Sequence, residues 1–201
     1  KLRNCMHSGD IRQQLRAARR ALASADQKKA AKALTQRLIS QTFFLQAKHI
    51  GLYLANDGEI DPHGIIQAAS SLNITCYLPV IDRATNNSLC FAEYNEKTEL
   101  KPNKFNILEP FITNKDCRLP KDLDLILMPL VGFDREGNRI GMGGGYYDRT
   151  LAFMKTTKRD APKLIGLAHS CQEVSSIDRQ SWDITLNLIA TEKQIICAKP
   201  R

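Results

Sequence analysis

The run Asp124-Leu-Ile-Leu-Met-Pro129 constrains this chain most. An almost wholly apolar stretch of this length, with no polar alternation, is the pattern of a strand buried on both faces, and so of a parallel sheet covered by layers on each side. Shortly afterwards the chain enters Gly132 to Asp148, which carries Gly132, Gly137, Gly141, Gly143, Gly144 and Gly145. In a helix or strand interior each glycine would cost about 1 kcal/mol relative to alanine. A chain tolerates such a run where backbone N–H groups must turn toward a ligand, or where a Cβ would clash. A helix is expected from Tyr146 to Met154. Strand, glycine loop and helix in that order mark the place where open α/β sheets hold ligands, and the free N–H groups of a following helix suit phosphate.

The other elements agree with a layered sheet. Residues Ile11 to Ala47 read as two helices of good helix formers, the second starting near Ala25 behind a capping box at Ser24-Ala-Asp-Gln27. His49 to Ala55 reads as a buried strand ending at the Asp57-Gly58 turn. Asp61 and Pro62 offer an N-cap and a proline at the first helical position of a helix running to Ser71. Further strands are expected at Thr75 to Val80, Leu89 to Tyr94, Lys163 to Ala168 and Lys193 to Ala198, with an irregular stretch from Asn103 to Pro120. This alternation predicts an α/β fold, a layered Rossmann-like single domain with a mostly parallel sheet flanked by helices. At 201 residues one domain over 11–201 is expected, after a flexible segment 1–10.

Nothing in the chain approaches the ~18 apolar residues of a membrane span, and the start lacks a secretory apolar core. A cytoplasmic location is the default. Cys5, Cys76, Cys90, Cys117, Cys171 and Cys197 are scattered without metal-ligand spacing and read as buried free thiols. Twenty-nine basic against twenty-one acidic residues give a net charge of +8, which suits nucleic acid, a nucleotide or a polyanionic substrate equally.

Individual candidates keep two readings each. The glycine segment is either a phosphate cradle or a hairpin at Asp134 to Gly137 followed by a flexible connection. It matches neither the dinucleotide fingerprint nor the P-loop. Arg139 could meet phosphate with its planar fork, and Asp148 could hold Mg²⁺; each could also be an ordinary loop charge. Arg12, Arg16 and Arg19 share one helical face, with Arg20 beside them, either solvated or laid over a polyphosphate. Glu59 is a turn acid or an acceptor for the N–H groups of a heterocycle. Trp182 reads as core or rim packing, and His169-Ser170 as a possible border of the site. No nucleophile–base motif occurs, so positioning and electrostatics would carry the chemistry.

Phe133-Asp-Arg-Glu-Gly-Asn-Arg-Ile-Gly-Met-Gly-Gly-Gly-Tyr-Tyr-Asp148, preceded by Asp124 to Pro129, resembles the signature of the 5-formyltetrahydrofolate cyclo-ligase (methenyltetrahydrofolate synthetase) family. Leu15-Arg16, Leu52 to Glu59, Tyr77-Leu-Pro79, Asn106 to Pro110 and Trp182-Asp183 match in order, from Ile11 to Lys199. The resemblance implies an ATP- and Mg²⁺-dependent cyclisation of 5-formyltetrahydrofolate to 5,10-methenyltetrahydrofolate. The formyl oxygen would be phosphorylated, N10 would attack the activated carbon, and ADP and phosphate would leave. It implies ATP contacts from Arg12, Arg16, Arg139, Gly141, Met142, Gly143, Gly144, Gly145 and Tyr146, with Arg139 and Tyr147 catalytic. Leu54, Glu59, Glu109, Tyr147 and Trp182 would contact folate, Glu59 orienting the pterin, and Pro110 would border the ligand. Asp148, with Asp183, would hold magnesium. A monomer or weak homo-oligomer is expected, with no nucleic-acid or membrane partner. Arg12 stands where the family usually has lysine, and Met142 and Gly144 where its signature often has arginine and lysine. A non-catalytic or differently specific folate- or nucleotide-binding protein on the same scaffold is the alternative.

Overall fold

The computed structural model describes residues 8–82, 84–85, 87–112, 117–156 and 161–198. The chain opens with α1 (Ser8–Arg20), α2 (Ser24–Ile39) and the single turn α3 (Thr42–Leu45). The strands β1 (His49–Gly51), β2 (Thr75–Ile81) and β3 (Leu89–Tyr94) follow, with α4 (His63–Ser71) between the first two. Next come the short strands β4 (Leu100–Pro102), β5 (Leu108–Pro110) and β6 (Cys117–Arg118). The second half contributes β7 (Leu125–Pro129), β8 (Gly132–Phe133), β9 (Arg139–Ile140), α5 (Tyr146–Thr150), β10 (Lys163–Leu167), β11 (Leu188–Ala190) and β12 (Ile195–Cys197). Residues 1–7, most of the segment expected to be flexible, lie outside the described residues. No described helix is long and apolar enough to cross a membrane.

Eight strands form one sheet in the order β12-β11-β10-β7-β1-β2-β3-β6. The five central strands run parallel, and β12, β3 and β6 add antiparallel edges. From β1 the chain steps through α4 to β2 on one side, and later through β7 to β10 and β11 on the other. The switch point of the sheet therefore lies between β1 and β7, whose carboxyl ends open a crevice outside the sheet.

The apolar run of β7 is explained by two cores. Leu125 and Leu127 join the layer of Leu34, Leu38, Phe44 and Ile65 from α2, α3 and α4. Ile126 and Met128 point the other way, toward Phe91, Leu151, Leu164 and Leu186. Because each face of the strand meets its own layer, alternation would serve no purpose there. Leu15 of α1 packs separately with Val131 and Ile140, which carries α1 across the mouth of the crevice.

Several local expectations are corrected. The helix α2 starts at Ser24 itself, with Ala23 as its N-cap and no side-chain cap bond. Gln27 instead donates to the Arg19 carbonyl at 3.3 Å, so the capping box is not formed. The α4 N-cap is Pro62, and Asp61 accepts the His63 N–H at 2.9 Å. The helix expected to reach Met154 ends at Thr150, and a 3₁₀ turn over Ala152–Lys155 continues it. The cysteines are not uniformly buried thiols. Cys90 and Cys117 form a disulfide across the neighbouring edge strands β3 and β6, Cα atoms 5.6 Å apart, while Cys171 and Cys197 are exposed and Cys76 alone is a buried free thiol among the described residues. Cys5 lies outside the described residues.

Candidate active site

A cleft of about 920 Å³ occupies the switch point. Its floor is the turn after β1, the end of β2 and the end of β7. One wall is the glycine segment with Tyr146 to Asp148, and the opposite wall is the β4–β5 hairpin. Arg12, Arg16, Leu54, Glu59, Glu109, Arg139, Gly141 to Gly145, Tyr146, Tyr147, Asp148, Trp182 and Asp183 all line this cleft. Pro110 is buried in β5 and does not line it. His169 is likewise buried, away from the cleft lining, and burial lowers its pKa.

The glycine wall begins as the hairpin that one reading of its sequence expected. A hairpin does form, with Gly132 opposite Ile140 and Phe133 opposite Arg139. Its turn is organised by buried Asp134, whose Oδ1 accepts the N–H groups of Glu136 and Asn138, each at 3.0 Å. Its Oδ2 accepts from Asn138 Nδ2 and Ile177 N–H, each at 2.9 Å. Asp134→Ala would leave these donors without their acceptor, and a loss of about 3 kcal/mol is expected. Urea unfolding should show a lower midpoint at unchanged slope.

Beyond the hairpin the glycines differ in their surroundings: a Cβ on Gly144 or Gly145 would meet Tyr146 or Arg149, while Gly141 faces open space. Gly143 and Gly145 have φ of 96° and 64°, values that side chains other than glycine rarely adopt. Nothing lies within 4 Å of a Cβ built on Gly141; the protein itself gives no packing reason for glycine there, whereas room for a ligand would. Arg12 Nε donates to the Gly141 carbonyl at 2.8 Å, and Arg149 Nη2 to the Gly144 carbonyl at 2.7 Å. Two arginines thus clip the ends of the bare loop. The sequence reading overlooked Arg149, because its partner is a backbone carbonyl and carries no side-chain signature. The helix after the loop has only five residues, so its dipole is small. Backbone amides and guanidinium groups must supply the attraction for an anion.

Arg139 is nearly buried, with 8% of its side chain exposed. It donates Nη2 to Asp148 Oδ1 at 2.5 Å and Nη1 to the Ile184 carbonyl; Ile184 N–H returns to Asp148 Oδ1 at 3.3 Å. This knot brings the Trp182-Asp183 segment beside α5. Trp182 is 62% exposed, so core packing is excluded and it stands on the rim. Asp183 Oδ2 accepts Gln180 N–H at 2.8 Å. Among the described residues no three His, Cys, Asp or Glu side chains converge as a metal cage. Mg²⁺ needs none, since one or two carboxylates plus water and substrate phosphates are its usual shell.

The α1 arginines are not a solvated face. Arg16 Nε meets Asp57 Oδ2 at 2.7 Å, Arg20 meets Oδ1, and Arg19 is wholly buried beneath the same carboxylate. Burial alone would raise the Asp57 pKa, but hydrogen bonds from Arg16, Arg20 and Arg19 bring it down to about 2. Glu59, two residues on, behaves oppositely. Burial pushes its carboxyl up to about 7 against the opposing pull of Arg19 and the Asn56 N–H. Burial, then Glu59, also raise the Tyr147 phenol, which stays protonated at neutral pH.

On the hairpin wall Glu109 Oε2 accepts from Ile81 N–H at 3.3 Å and Asn103 Nδ2 at 3.0 Å, tying the hairpin to β2. At its tip Phe105, 56% exposed, meets Tyr146 edge-to-face at 5.8 Å. Phe105 also escaped the sequence reading, since it sits in a stretch without periodicity.

A switch-point cleft with arginines, bare backbone and tyrosines on one wall and Phe105, Ile107 and Leu108 on the other defines an α/β enzyme for a small ligand with an anionic part and a ring part. A family model described as the 5-formyltetrahydrofolate cyclo-ligase family matches residues 5–192. The 5-formyltetrahydrofolate cyclo-ligase of Haemophilus influenzae is 38% identical over 183 residues, covering 91% of this chain and 96% of that protein. The Escherichia coli K12 protein of the same name is 33% identical over 181 residues, covering 90% and 98%. The solved structure of Aquifex aeolicus 5,10-methenyltetrahydrofolate synthetase matches with a TM-score of 0.81 at 27% identity, covering 98% of this chain and 95% of that one. The chain belongs to the 5-formyltetrahydrofolate cyclo-ligase family.

Proposed function

We propose that this chain is a 5-formyltetrahydrofolate cyclo-ligase that joins the formyl carbon to N10 at the expense of ATP, giving 5,10-methenyltetrahydrofolate, ADP and phosphate. The observation that carries this reading is the convergence in one cleft of the glycine wall and Arg139 with Glu59, Tyr147 and the hairpin that carries Phe105. The amide-like formyl oxygen leaves poorly. The formyl oxygen attacks the γ-phosphorus and ADP leaves; N10 then adds to the activated carbon and gives up its proton, and the C–O bond breaks to release phosphate and leave the methenyl bridge.

In this reading Arg12, Arg16, Arg139, Gly141 to Gly145 and Tyr146 hold the triphosphate and its nucleoside, with Met142, 53% exposed, contributing backbone rather than charge. Asp148 and Asp183 would hold magnesium, which offsets charge on the polyphosphate when bound. Glu59 accepts N–H groups of the pterin, and Leu54, Tyr147, Glu109 and Trp182 border the folate. A protonated Tyr147 can present a wall, or a hydrogen bond, without adding negative charge beside Glu59.

The test is incubation of the protein with 5-formyltetrahydrofolate and MgATP while the methenyl product is followed by its absorbance. Absence of ATP-dependent product across a range of pH would sink the ligase reading. Met142 and Gly144 in place of two basic residues favour a second reading, a binder on the same scaffold. That reading predicts saturable folate or ATP binding by calorimetry with no turnover.

A further inference from the structure

Arg19 does not line the cleft, and 0% of it is exposed, yet its guanidinium is always charged. A charge removed from water is kept only where its donors are taken up. Here Nε donates to the Asp57 carbonyl at 2.8 Å, Nη1 to the Leu130 carbonyl at 2.9 Å and Nη2 to Asp57 Oδ2 at 2.9 Å. The same Nη2 stands 3.6 Å from Glu59 Oε1. One planar fork therefore bridges the turn after β1 and the chain leaving β7, the two strand ends that frame the switch point. That turn is unusual in itself: Asp57 and Gly58 have φ of 54° and 76°, and the left-handed region is costly for a residue with a Cβ.

We propose that Arg19 is a positioning residue for Glu59, fixing the Asn56–Glu59 turn against the end of β7 and setting a permanent positive charge beside the carboxylate that meets the pterin. This rests on the reading of Glu59 as the pterin acceptor. The groups facing Glu59 are Arg19 and Arg16 from α1, Asp57 on its own turn, Tyr53 beyond β1 and Tyr147 from α5. Among these, Arg19 acts most strongly in favour of the ionised carboxylate, while burial and Asp57 oppose it. Removing the cation should therefore raise the pH at which Glu59 ionises.

The experiment compares Arg19→Met, Arg19→Lys and Glu59→Gln with the parent protein, measuring kcat/KM for 5-formyltetrahydrofolate against pH at saturating MgATP. In Arg19→Met the acid limb should move up by about one pH unit, and kcat/KM at neutral pH should fall about tenfold. Arg19→Lys keeps the charge but cannot span all three acceptors; its limb should return toward the parent position while the folate KM stays raised. Loss of folded protein alone would scale every point of the profile and move no midpoint. An unmoved limb in Arg19→Met, where Glu59→Gln has abolished that limb, overturns the proposal and leaves the reading of Glu59 intact. A limb that survives Glu59→Gln overturns both. If Arg19→Met does not fold, Arg19→Lys decides: a folate KM within about twofold of the parent overturns the proposal.

Discussion

Arg139→Ala is expected to lower kcat about a thousandfold, the scale of losing a guanidinium or backbone-type donor at a transferring phosphoryl group. That factor corresponds to about 4 kcal/mol of transition-state stabilisation. The expectation follows from where the group sits. Arg139 lines the cleft between the glycine wall and Asp148, is nearly buried, and is held by Asp148 and the Ile184 carbonyl. A cation pre-oriented in this way need not reorganise as charge develops, which is the condition for a large electrostatic contribution. The same contacts imply a loss of stability in the alanine variant, because Asp148 would lose its partner. Turnover should therefore be measured at a temperature where circular dichroism shows a folded chain. Arg139→Lys separates charge from shape: an ammonium cannot serve Asp148, Ile184 and a phosphate oxygen with one planar fork, so its kcat should lie between the other two. A folded Arg139→Ala enzyme with kcat within about threefold of the parent would remove Arg139 from the chemistry.

Glu59→Gln is expected to lower kcat/KM for the folate about a hundredfold while the KM for MgATP changes little, because the carboxylate proposed to accept charge-assisted bonds from the heterocycle is replaced by a neutral amide. The pH dependence is the sharper signature. Burial pushes the Glu59 carboxyl from its ordinary value of 4.5 up to about 7, so the parent kcat/KM should rise with pH through that region and the Gln variant should lack this limb. The stability effect has the opposite sense. A carboxyl whose folded-state pKa is raised binds more protons folded than unfolded between about 4.5 and 7, so its share of stability declines as pH rises through that window. Thermal melts of the parent should show this decline and those of the Gln variant should not. Parallel melting profiles in the two proteins would contradict the buried-acid account of Glu59.

Much of the scaffold was legible because it rests on local burial. Leu89 to Tyr94 is a strand with the expected bounds, and Lys163 to Ala168 and Asp124 to Pro129 differ from β10 and β7 only at an end, since apolar runs record directly which faces meet a core. The stretch from Asn103 to Pro120 hid the β5 half of a hairpin and the edge strand β6. Strands of two or three residues are set by what they pair with, and their own composition carries little signal. The disulfide belongs to the same class: Cys90 and Cys117 are 27 positions apart, and only the pairing of β3 with β6 brings them together.

The glycine wall divides along the same line. From the sequence alone came a bare backbone after a doubly buried strand, with Arg139 and Asp148 nearby, because glycine content and apolar runs act over a few residues. What that backbone faces is a tertiary matter. Arg12 reaches Gly141 from 129 positions away, and Arg19 reaches Leu130 from 111. The fate of the α1 arginines turned on Asp57, which folding places among three of them. Helical spacing shows that charges share a face. Whether that face meets water or a buried carboxylate depends on which distant turn the sheet brings against it.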